Sequence, residues 1–215
     1  MRALLAALAA LALGACNQVY SRTPLLGEAP ARPGDPDLRP GLWSIEGMRD
    51  DKCPFDIRQT INHWPDCATA AEYRNGQLWL ITPHERILAQ NVKLAGDDPV
   101  LMQQHWLPDA LKDPRAPEPT DSDNPFFGWT YASLTVVRTD ALGRIMEARM
   151  LAPACGPLPA GGAGYTDRPF PGLTMVKSNC VAPDLDTVRA ALARSQALVP
   201  AQIASSTIRW IRDDP

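Results

Sequence analysis

Short apolar runs broken by turn residues recur along the chain. Residues 42–47 (LWSIEG), 77–82 (QLWLIT), 86–94 (RILAQNVKL) and 99–107 (PVLMQQHWL) each combine leucine with β-branched side chains, all but the third with a tryptophan as well, and are set off by nearby Gly, Pro or Asp. They predict four strands, with Gly96-Asp97-Asp98 as the turn between the last two. Residues 131–152 predict a hairpin about a turn at 140–143. In its second arm Ile145, Glu147 and Arg149 fall on one face and Met146, Ala148 and Met150 on the other, the alternation of a sheet with one solvated face.

Helical signals are few. Residues 68–73 predict a short helix stopped by Asn75-Gly76. Leu185, Val188, Leu192 and Val199, with Ala191 between, form one apolar stripe at helical spacing that Asp184 or Asp186 can cap. Residues 203–212 (IASSTIRWIR) predict a final strand, docking Ile208 and Trp210 beside or over that helix. The sum is a mainly β (α+β) domain, an antiparallel sheet or partly closed barrel with one amphipathic helix near the C-terminus.

Composition sharpens this picture. Proline supplies 22 of 215 residues, about twice the usual 5%, which favours loops over long helices. Residues 108–125 and 153–172 are the two long Pro-rich connections, and a loop above about 12–15 residues is a candidate for function on length alone. Net charge is −3, with 17 Arg and 4 Lys dispersed along the chain, so no basic block marks a nucleic-acid surface.

The first segment has its own chemistry. Met1-Arg2 precedes an unbroken apolar run of 11 residues, 3–13, too short for a spanning helix of about 20 and typical of a secretory signal. Leu13-Gly14-Ala15-Cys16 then resembles the lipobox of bacterial lipoproteins. The resemblance covers the first 16 residues only. It implies cleavage before Cys16, a diacylglyceryl thioether on its sulfur, and further acylation of the new amine by a palmitate-type chain. Two or three chains, at about 0.8 kcal/mol per buried CH₂, hold a protein firmly to a bilayer. Asn17 is not the Asp that tends to retain such proteins in the inner membrane, so the periplasmic face of the outer membrane is the expected location. On this reading residues 1–15 are the signal, 16–41 a Pro-rich tether from acylated Cys16, and 42–215 a single β-rich periplasmic domain.

With Cys16 committed to lipid, four thiols remain. In an oxidising compartment they most simply form two disulfides, and Cys53 with Cys67 and Cys155 with Cys180 is the local pairing of the three possible. Each loop would stabilise the fold by roughly 3 kcal/mol in the chain-entropy model. Their spacings of 13, 87 and 24 intervening residues contain no close Cys pair of the zinc type.

Candidate chemistry is sparse. His63, His84 and His105 recur 21 residues apart, and two lie in similar settings, NHWPD and QHWLPD. Three imidazoles suit catalytic zinc, but no HExxH motif supports convergence, and separate turn or surface histidines are the plainer expectation. TDSDNP (120–125) offers calcium-type oxygens, yet Pro125, Phe126 and Ala132 stand where an EF-hand needs a ligand, Gly and an acid. AGGAG (160–164) sits among prolines rather than between a strand and a helix, unlike a phosphate loop. No GxSxG or SxxK nucleophile motif occurs. Trp64, Trp106, Phe126 and Phe127 flank Pro-rich loops and are candidates for a groove, although aromatics are more often core.

These observations lead to a lipid-anchored envelope protein acting as a non-enzymatic binding or interaction module, without a cofactor. Its expected partners are membrane lipid through Cys16 and an envelope protein or small apolar ligand, not nucleic acid. One alternative is a carrier of a small apolar ligand with a lipocalin-like cavity. Another is a metal-dependent enzyme using the three histidines.

Overall fold

A computed structural model describes residues 17–27, 32, 34–46, 53–106, 128–158, 166–198 and 205–213. Eight strands form a closed antiparallel barrel: β2 (Gly41–Ile45), β3 (Ala70–Arg74), β4 (Gln77–Ile81), β5 (Arg86–Ala95), β6 (Val100–Trp106), β7 (Trp129–Thr139), β8 (Ile145–Leu151) and β11 (Ser205–Arg212). Each pairs with the next, and β11 returns to β2. The β6–β7 ladder, from Val100↔Leu134 to His105↔Trp129, joins strands separated by the long 107–127 connection. Closure removes the exposed edges that an open sheet would present.

Inside the barrel, alternate residues pack into one core that includes Trp43, Tyr73, Leu80, Leu94, Val100 and Leu134. Three short strands are added outside: β1 (Val19–Ser21) pairs with β7, β10 (Asn179–Val181) runs parallel to β1, and β9 (Thr174–Val176) pairs with β10. The helix α1 (Leu185–Ser195) has Asp184 as its N-cap, whose carboxylate accepts from Thr187 N–H at 2.8 Å. Val188, Ala191 and Leu192 face a second core over the outer faces of β6 and β7. Val199 lies outside the described residues.

Both expected disulfides are present, Cys53–Cys67 and Cys155–Cys180. The first closes a loop whose Ile57, Trp64 and Ala68 form a third core with Leu42, Ala70 and Ile81 on the outside of β2, β3 and β4.

Four expectations are corrected. Residues 70–74 are strand β3, not helix, because Asn75 and Gly76, both at positive φ, close a two-residue hairpin onto β4. Ile208 and Trp210 do not dock on the helix; β11 lies between β8 and β2, and both side chains belong to the barrel core. Register shifts around Arg138 place Thr139 opposite Ile145 and Arg138 opposite Glu147. Ile145 therefore joins the interior with Ala148 and Met150 instead of the solvated face with Arg149.

The fourth correction concerns the stretch expected to be a tether. Val19, Tyr20 and Ser21 are at most 2% exposed. The Tyr131 hydroxyl lies 2.6 Å from Ser21 Oγ and accepts from Leu25 N–H, while Gln103 Oε1 accepts from Leu26 N–H. Burial raises the Tyr131 pKa, partly countered by these two partners. Further on, Leu38 is buried in the barrel core, and the backbone on either side of it bonds to Ile145. Alternation cannot reveal a three-residue strand among prolines, which is why these segments read as spacer.

Candidate functional site

The interior of the barrel carries the candidate site. Leu38 packs at the end where the hairpin turns 75–76 and 96–99 lie, and its neighbour Asp37 accepts a 2.5 Å hydrogen bond from the Tyr73 hydroxyl. Burial, reinforced by the Asp37 carboxylate, pushes the Tyr73 pKa far up, so it stays a neutral donor. Beyond Leu38, the side chains of Trp43, Leu78, Val92, Met102, Met150 and Ile208 wall a cavity of about 40 Å³. At about 10–15 Å³ per water, it has room for roughly three water molecules.

Two amides interrupt this apolar wall, Gln90 and Gln104. A bulge puts the first one there. Leu78 pairs with Gln90 while Trp79 pairs with Leu88, so Ala89 is the extra residue, and Ala89 and Gln90 in succession both face inward. Gln90 is 1% exposed, and its Oε1 has no hydrogen-bond partner among the described residues. Leaving such an acceptor unsatisfied costs about 1–3 kcal/mol. Gln104 Nε2 donates to the Met102 sulfur, at 3.5 Å. Among the described residues no charged side chain lines the cavity.

No family model, curated protein or solved structure matches this chain. What the barrel can do must therefore come from its own side chains.

The sequence candidates are scattered rather than gathered. His63 is exposed beside Thr60, His84 is exposed and 3.1 Å from Asp66, and His105 stacks on Trp129 on the outside of the barrel with ring centroids 4.6 Å apart. Among the described residues no group of three His, Cys, Asp or Glu is placed to hold a metal, so the metal-enzyme alternative has no site in these segments. Trp64 and Trp106 are both buried, in different cores: Trp64 under the Cys53–Cys67 loop and Trp106 inside the barrel. They do not line a common groove. Cys16, Phe126, Phe127 and residues 120–125 and 160–164 lie outside the described residues.

The residue that sequence reasoning missed is Gln90. Its signal was present: in RILAQNVKL the apolar positions 87 and 89 change phase to 92 and 94, which marks a bulge. A second buried polar group, Glu72, is structural. It is fully buried on the outer face of β3, and its carboxylate is held between the guanidinium groups of Arg74 and Arg86.

Proposed function

We propose that this chain is a lipid-anchored protein of the bacterial envelope, held through Cys16 at the periplasmic face of the outer membrane. Its barrel takes up one small, uncharged, largely apolar molecule that carries a hydroxyl. The observation that supports the carrier role is the unpartnered amide oxygen of Gln90 in a cavity whose lining, Gln90 and Gln104 apart, is apolar, inside an eight-stranded barrel. Barrels of this strand number have an interior that side chains just fill or that holds one small ligand.

The ligand chemistry follows from the wall. A hydroxyl both donates and accepts, so it serves either end of the Gln90 amide. An ionised carboxylate would lose its hydration without meeting a cation, a large penalty in this setting. Met102 and Met150 are unbranched and adaptable, which lets the cavity enlarge around a guest somewhat bigger than three waters.

Nuclear magnetic resonance of the full chain in lipid nanodiscs tests this with 1-butanol and butyrate as probes. Butanol should shift the Gln90 side-chain amide saturably, and Gln90→Leu should weaken binding about tenfold, the equivalent of about 1.4 kcal/mol. Butyrate should leave the barrel signals unmoved. Equal response to both probes, or no response to butanol, contradicts the carrier reading.

A further inference from the structure

Asn17 follows Cys16 directly, and it is built into the fold. It is 7% exposed, its N–H donates to Ser178 O at 2.6 Å, its carbonyl accepts from Cys155 N–H at 2.9 Å, and its Nδ2 donates to Gly156 O at 3.0 Å. The next residue continues the attachment: Gln18 N–H donates to Asn179 Oδ1, and its carbonyl accepts from Cys180 N–H. The Cys155–Cys180 disulfide locks together the two segments that grip this corner. A hinge here would have to break several hydrogen bonds at once.

Consecutive Cα atoms are about 3.8 Å apart, so the residue marked for acylation is one step from a buried, pinned position. No spacer separates them. We infer that the flank of the domain around Asn17, with the turn at Lys177 and Ser178 and the neighbouring Arg168, lies directly on phospholipid headgroups, and that the body is clamped to the bilayer rather than tethered above it. This rests on the reading that Cys16 carries the lipid.

The chemistry of the flank fits that occupant. Lys177 and Arg168 are exposed, with the Asp167 carboxylate 3.5 Å from Arg168, and Pro157, Pro171 and Gly172 are exposed in the adjoining segments. Cations meet phosphate oxygens and the small residues permit close approach. Topology then orients the remainder of the molecule. β1 is attached to β7, and in the barrel order β3 stands opposite β7. The Cys53–Cys67 loop, which covers β2, β3 and β4, therefore faces away from the membrane.

Energy transfer in phosphatidylethanolamine/phosphatidylglycerol vesicles with acceptor-labelled headgroups tests the clamp on the full, lipidated chain. A donor is placed at Lys177→Cys on the near flank or Arg58→Cys on the far one. Transfer should be at least twofold stronger from position 177. Inserting a twelve-residue Gly-Ser spacer between Cys16 and Asn17, with a reach of about 20 Å, should bring the ratio close to one. Equal transfer from both positions in protein whose Cys16 acylation is verified by mass overturns the clamp and leaves the anchor standing, and so does a ratio that the spacer does not change. An unmodified Cys16 overturns both.

Discussion

The barrel has a disulfide-stapled core on each of two opposite flanks, and the two are built differently. Over β2, β3 and β4 the cover is one loop, residues 53–69, packed on strands adjacent to it in sequence, with Ile211 of β11 as the distant contributor. Over β6 and β7 the cover is assembled from the N-terminal segment, β9, β10, the 154–157 stretch and α1. The first flank is a local patch. The second ties the beginning of the chain to its last third, so its loss must loosen distant segments together.

The sharpest way to break this contrast is to remove each disulfide in turn. In the chain-entropy model the two are nearly equal, roughly 3 kcal/mol each. Their surroundings are not: Cys155 and Cys180 are both fully buried, whereas Cys67 is exposed. The double variant Cys155→Ser/Cys180→Ser should cost more than Cys53→Ser/Cys67→Ser in denaturant unfolding, because two hydroxyls replace buried sulfur. Hydrogen exchange should then rise across residues 17–27 and 170–192 together in the first variant and only across 53–69 in the second.

Gly41 tests the seam below the local flank, where β2 meets β11. Its φ is +126°, and a Cβ there would run into the carbonyl of Arg212. Gly41→Ala should destabilise the barrel by about 2–4 kcal/mol through strain and overpacking, read as a lower denaturation midpoint.

Tyr131→Phe probes the non-local flank more gently. Losing the hydroxyl that holds Ser21 and Leu25 should cost about 1–2 kcal/mol. Exchange should increase in residues 21–27 while the barrel ladders stay protected.

The smallest effect concerns pH. The guanidinium of Arg209, 2.9 Å from Glu147 across β8 and β11, holds the Glu147 carboxyl below its usual range. A depressed folded pKa contributes stability that is present above the unfolded value of about 4.3 and lost as pH falls through the folded one. Between pH 5 and pH 3 the wild-type melting temperature should fall by more than that of Glu147→Gln. Equal losses would remove this pair from the acid response.

The same contrast explains what could be read from the residues alone. The hairpins, the helix with its Asp184 cap and the local flank are short-range, and their signals lie within twenty residues of one another. Apart from α1, the non-local flank leaves no periodic trace, because β1, β9 and β10 are three residues each; nor does Leu38 of the barrel core, a single apolar side chain among prolines. A partly closed barrel was among the expectations and is borne out; its full closure was not legible locally, because β6 and β7 are joined by a long connection rather than a tight turn. Of the candidate site, Met102 and Trp43 lay in recognised strands, but Gln90 needed the bulge at Ala89 to point inward. The histidines were visible and evenly spaced, yet even spacing along the chain says nothing about convergence in space.

Native mass spectrometry of the protein extracted from bacterial membranes tests the anchored-carrier function most directly. The expected species begins at Cys16, 215 less 15 residues, carries acyl mass at its first residue, lacks four hydrogens for two disulfides, and retains a small neutral adduct that Gln90→Leu diminishes. A chain that still holds residues 1–15 and carries neither acyl group nor adduct would contradict both the anchor and the cavity.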